Sequence, residues 1–169
     1  MKRCSQRNFG FSLIELLVYI GIFGMVLSAL IPFAWSVIQA GEKNMVIEEV
    51  NTNARYISER IKLEIRNSTG INSATGSSLS LSTSTPLTNP TVIDLSAGNI
   101  RITQGANPAA VLNSSNSAIS SLNFVSYSSG DNKTKNVQFS FTLTGNFPSA
   151  RQEYQNSTTI QGDAEVRSN

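Results

Sequence analysis

Glu15 is the residue whose type and surroundings set it apart chemically. It is the only charged side chain between Phe11 and Ala34, a run of 24 residues. A carboxylate isolated in an apolar segment is costly to desolvate, and an intramembrane charge marks a functional site by default. Elsewhere reactive chemistry is sparse. Histidine is absent, which removes the commonest general base and metal ligand together. The many serines therefore lack the usual partner that would activate a hydroxyl as a nucleophile. There is no Gly-rich phosphate loop, no His-Glu metal motif and no paired-carboxylate spacing. Asp94, Asp131, Glu153 and Asp163 are scattered over expected turns and strand ends. No catalytic residue, no metal ligand and no cofactor is expected.

The element that positions Glu15 is the apolar run itself. A helix rising about 1.5 Å per residue needs roughly 20 residues to cross a hydrocarbon core of about 30 Å, so this run suffices. Lys2, Arg3 and Arg7 precede it and should remain cytoplasmic, so the chain runs outward from its N-terminus. In an ordinary secretory signal, cleavage follows the apolar region. Here the cationic segment ends at Gly10, before the apolar run begins. A cut between Gly10 and Phe11 would discard the charged leader and keep the membrane segment.

That arrangement, with Phe11 as the new N-terminus and Glu15 four residues on, resembles the class III leader of type IV pilins and type II secretion pseudopilins. The resemblance extends from Met1 to about Gly70. It implies a prepilin peptidase that cuts after Gly10 and methylates the Phe11 amine. It also implies a structural subunit rather than an enzyme. In a filament, Glu15 would dock onto the Phe11 amine of a neighbouring subunit. That pairing would set register as well as affinity, because a misplaced subunit leaves a buried charge unpaired. The competing reading of Glu15 is a carboxylate in the headgroup layer that only sets depth. Pro32 falls where many pilins carry a helix-bending proline, and it removes one backbone donor, so a kink or local melting is expected there. Gly24 and Ser28 stand at small-xxx-small spacing, with Gly21 nearby, which permits close helix approach.

The expected partners are the prepilin peptidase, membrane lipid, and major and other minor pilins or pseudopilins through their N-terminal helices. Once processed, the chain would lose three of its 13 basic residues, leaving ten against 11 acidic ones. No basic field then argues for nucleic acid. The expected location is the inner membrane, single-pass with the N-terminus cytoplasmic, and afterwards an extracytoplasmic filament. Cys4, the only cysteine, lies in the leader, so the C-terminal disulfide of many pilins is missing. Asp131-Asn132 could contribute to a calcium loop of the kind found in some major pseudopilins, but such a pair usually marks a turn. The layout is most similar to the minor pseudopilin J and minor pilin W group. A competence pilus subunit shares the same N-terminus, and a binding module on an uncleaved anchor is a further alternative.

Downstream, Phe11 to about Asn67 reads as one helix some 85 Å long at about 1.5 Å per residue. Residues 11–34 form its transmembrane part and 35–68 its amphipathic continuation. In the latter, Val46, Val50, Ala54 (or Asn53), Ile57, Ile61 and Ile65 recur at steps of three and four, which makes one buried face. Glu42, Glu48, Glu49, Arg55, Glu59, Arg60, Lys62, Glu64 and Arg66 occupy the opposite face, with Arg55–Glu59 and Arg60–Glu64 as i,i+4 pairs. Gly70 suits a left-handed cap. Residues 69–90 read as a polar linker that touches the domain only through Leu79-Ser80-Leu81.

Residues 91–169 read as a sheet domain. Strands are expected at Thr91–Leu95, Asn99–Thr103, Ala109–Asn113 and Ile119–Tyr127, with a hairpin turn at Ser128–Lys133. Val137, Phe139, Phe141 and Leu143 alternate with polar residues, so that strand packs on one face only. Arg151–Val166 returns as a polar edge strand. The fold class is α+β: a long N-terminal helix packed on an antiparallel sheet domain of pilin-like design.

Overall fold

The computed structural model describes residues 12–129, 134–147 and 155–167. Among the described residues, one helix, α1 (Leu13–Asn67), is followed by strands only, apart from a single 3-10 turn at Pro86–Thr88. The strands are β1 (Gly70–Thr75), β2 (Ser78–Ser82), β3 (Thr91–Ser96), β4 (Asn99–Gln104), β5 (Ala110–Val111), β6 (Ser117–Ser128), β7 (Lys135–Gly145) and β8 (Ser157–Glu165). The chain divides into two compact units, the first ending at Gly41 and the second beginning at Glu42.

In the first unit the apolar side chains of α1 are exposed all round, from Leu13 through Phe23 and Leu30 to Ile38. A helix segment apolar on every side is stable only when something apolar surrounds it. Among the described residues, α1 alone is long and apolar enough to cross a membrane.

In the second unit the expected helix stripe is the buried one. Val46, Val50, Ala54, Ile57, Ile61 and Ile65 are buried together with Leu79, Leu81, Ile93, Ile100, Phe124, Phe139, Phe141 and Leu143 in one core. Burying each large side chain contributes roughly 1.5–3 kcal/mol, so this seam supplies most of what holds helix to sheet. Polar contacts fix its register. Asn53 Nδ2 donates to Ser117 Oγ at 3.0 Å, Asn116 Nδ2 to Glu49 Oε1 at 3.2 Å, and Thr158 Oγ1 to Asn51 Oδ1 at 2.9 Å.

Two antiparallel sheets lie under this helix segment, ordered β1-β2-β3-β4-β5 and β6-β7-β8. They join along β6, where Ile119 N–H donates to Gly98 O at 2.8 Å and Phe124 N–H to Gly76 O at 2.7 Å. The β3–β4 hairpin turns on Ala97-Gly98, with φ of 50° and 77°, the positive values that two-residue hairpins use. A register shift between Ile119 and Ser121 in β6 moves the inward face from Ser117 and Ile119 to Leu122 and Phe124. Such a bulge changes which parity of residues faces the core.

The helix-on-antiparallel-sheet class stands, and several local expectations are corrected. Residues 69–90 are not a linker: β1 and β2 are strands of the five-stranded sheet, paired from Thr75↔Ser78 to Gly70↔Ser82. Gly70 does not cap the helix in a left-handed conformation; positive φ is confined to Gly76, Ala97, Gly98 and Gly105 among the described residues. Instead Ser68 Oγ and N–H both turn back to Ile65 O, at 2.6 and 3.2 Å, and Thr69 N–H passes to Ser82 O at 2.8 Å. Glu64, expected on the solvated face, is buried; Arg60 pairs with it at 2.7 Å and Gln104 Nε2 reaches it at 3.3 Å. Glu59 pairs with Lys62 at 2.9 Å rather than with Arg55. Strand β5 has two residues, because Asn113 leaves the ladder to bridge the sheets. The final strand begins at Ser157. Gly130, Asp131, Asn132 and Lys133 of the expected turn, and Arg151 of the expected strand, lie outside the described residues.

Candidate assembly site at the helix N-terminus

Glu15 lies in the first turn of α1. Ser12 immediately precedes the helix, its Oγ accepting the Glu15 N–H at 3.3 Å while its carbonyl accepts Leu16 N–H at 3.2 Å. Ser12 is therefore the N-cap and Glu15 the third helical residue, half of a capping box. A carboxylate here also meets the positive end of the helix dipole. The sequence reading missed Ser12, and its signal was legible: a serine followed three residues later by a glutamate, ahead of an apolar run. Local helix chemistry thus places the acid one turn inside the apolar segment whatever else it does. The expected cleavage and methylation positions, Gly10 and Phe11, lie outside the described residues.

At Pro32 the helical pattern continues on both sides without a break, so the expected local melting does not occur. Two serines flank the proline and bond back into the helix, Ser28 Oγ to Met25 O at 2.7 Å and Ser36 Oγ to Phe33 O at 2.8 Å. Such back-bonding tends to bend helices and makes polar groups tolerable in apolar surroundings. A methyl group added at Gly21 or Gly24 would meet no atom within 4 Å, so this face of the segment is open to close approach.

Among the described residues, no group of three or more His, Cys, Asp or Glu side chains is arranged to hold a metal ion. The calcium expectation at Asp131-Asn132 falls outside them. In the second unit, the Lys62 hydrogen bond and charge hold the exposed Glu59 carboxyl below its ordinary pKa, and the Arg66 charge adds a smaller contribution of the same sign.

Residues 5–31 match the family model described as the prokaryotic N-terminal methylation motif. The chain carries the signature of the type IV pilin and pseudopilin family. Comparison with curated proteins and with solved structures returns no match to either. The matched stretch holds Gly10, Phe11 and Glu15 and the apolar helix as far as Ile31. The motif implies processing by a prepilin peptidase and assembly with other pilins. With the apolar helix, it points to a membrane-anchored precursor that is later incorporated into a filament. The motif points to a structural subunit.

Proposed function

We propose that this chain is a minor subunit of a type IV pilus or of a type II secretion pseudopilus. Residues 11–34 span the inner membrane with the N-terminus cytoplasmic. The peptidase removes residues 1–10 by cutting after Gly10, and the new Phe11 amine is methylated. The subunit then leaves the bilayer for the filament, where Glu15 accepts the Phe11 ammonium of a neighbour, in major and other minor subunits alike. Pro32 is the bend point that lets the apolar segment change surroundings.

The observation that carries this reading is an acid set at the third position of a capped helix, inside an apolar run, four residues past the Gly10-Phe11 junction. In lipid that carboxylate stays protonated or reaches the interface, about 6 Å away at 1.5 Å per residue. In a helix bundle it can meet an amine instead, and a buried charge that gains its partner discriminates strongly between docked and misdocked subunits. N-terminal mass spectrometry of the protein purified from a host with active prepilin peptidase tests the reading. The expected result is a chain beginning at Phe11 with a methyl group on its α-amine. A chain that keeps Met1–Gly10 overturns it and leaves an anchored sheet domain.

A further inference from the structure

The helix begins at Leu13, and Leu16 N–H donates to Ser12 O at 3.2 Å. One residue earlier the pattern changes, because Glu15 N–H donates to the Ser12 hydroxyl, at 3.3 Å. In an unbroken helix each N–H turns to the carbonyl four residues back, so Glu15 N–H would go to Phe11 and Ile14 N–H to Gly10. The Ser12 hydroxyl takes the place of the first of these carbonyls and stops the ladder there. The sequence supports the same boundary from another side. Phe11 and Leu16 occupy the positions, before the cap and four residues past it, at which apolar residues staple a helix start.

That boundary bears on the bond the peptidase must break. Hydrolysis adds water to the Gly10 carbonyl carbon and breaks its bond to the Phe11 nitrogen. Gly10 leaves as a carboxylate and Phe11 as an amine. A helix opposes this in two ways. It ties up the carbonyl oxygen in a hydrogen bond, and it winds into a turn a backbone that a cleft reads in extended form through its own N–H and C=O groups. Upstream of Ser12, the next residues of a type that caps helices are Gly10 and Asn8. With either of them as the cap, the Gly10 carbonyl becomes an acceptor for Ile14 N–H, since the cap's own carbonyl is already the first acceptor of the ladder.

We infer that Ser12 is a positioning residue for leader removal: by capping α1 at its own position, it keeps the Gly10 carbonyl out of the helix and open to the peptidase. The role rests on the cleavage step of the filament reading above. It is separate from the docking of Glu15, which follows processing.

The test uses the full-length precursor, made in membranes of a host that lacks prepilin peptidase and then mixed with that peptidase in detergent. Mass spectrometry follows the fraction of chains that begin at Phe11 over time. Ser12→Ala removes the cap. Ser12→Asn keeps it without the hydroxyl, since asparagine caps as well as serine does. Loss of a cap weakens a helix start about fivefold, so Ser12→Ala should be processed about fivefold more slowly than the natural chain. Ser12→Asn should match the natural rate.

Equal rates for Ser12→Ala and the natural chain overturn the inference and leave the filament reading standing. Slow processing of both variants also overturns it, because the peptidase then reads the hydroxyl itself rather than the helix boundary. A natural precursor that is never cut after Gly10 overturns the filament reading and this role together.

Discussion

Replacing Asn113 with alanine should destabilise the second unit more than removing any ion pair on its surface. Asn113 is 8% exposed and belongs to neither sheet, yet it binds both. Its Oδ1 accepts Ile100 N–H of β4 at 3.0 Å, and its Nδ2 donates to Ser117 O of β6 at 2.8 Å and to Asn99 Oδ1 at 3.0 Å. Truncation leaves the Ile100 N–H and the Ser117 carbonyl buried without these partners. An orphaned buried polar group costs about 1–3 kcal/mol, so two of them cost about 2–6 kcal/mol. That is a large fraction of the 5–15 kcal/mol available to a typical domain. For a unit of this size each kcal/mol moves the midpoint by about 3–5 °C, so a fall of at least about 6 °C is expected. The comparison variant is Arg101→Gln, which breaks the Arg101–Asp94 pair across β3 and β4. Its side chains are 37% and 27% exposed, and such pairs contribute about 0–1 kcal/mol. Scanning calorimetry of the full chain in detergent measures both. If Asn113→Ala lowers the midpoint no more than Arg101→Gln does, the argument that this amide holds the two sheets together is wrong.

Three further outcomes are expected. Gly162→Ala should cost about 1–3 kcal/mol by overpacking, because its Cβ would lie 2.6 Å from Phe139 Cζ across the β7–β8 pair. Denaturant midpoints of Gly162→Ala with and without Phe139→Leu check this, and the smaller partner should recover part of the loss. The Glu59 carboxyl should titrate below the ordinary glutamate value and return towards it in Lys62→Met, as carbon-detected NMR can follow. Because its folded pKa is depressed, its small contribution is present above the unfolded pKa and is lost as pH falls through the folded one. Glu15→Ala should leave leader removal intact while sharply reducing co-purification with the major filament subunit; undiminished co-purification would refute the docking role.

How much was legible depended on whether a pattern had one physical cause or several. The helix stripe from Val46 to Ile65 and the alternation from Val137 to Leu143 each answer to a single buried face, and both appear where the periodicity put them. Residues 69–90 misled because their composition is polar throughout. Leu79 and Leu81 are fully buried, but Ser78, Ser80 and Ser82 lie between and around them. Gly76 supplies the positive φ of a tight hairpin, and that turn was the available sign of two strands. The division into two sheets was not legible, since it depends on a bulge at Ser120 and on Asn113, whose partners lie 13 positions before and four after it. At the helix N-terminus the situation reverses. Ser12 Oγ caps the helix by accepting the Glu15 N–H three residues on, so the local sequence alone places Glu15 at the third helical position. Glu15 therefore needs no folded domain to hold it in place. A residue placed by its own helix turn keeps its position along the helix when the surrounding medium changes, which an acid must do if it is to leave lipid and meet an amine among other helices.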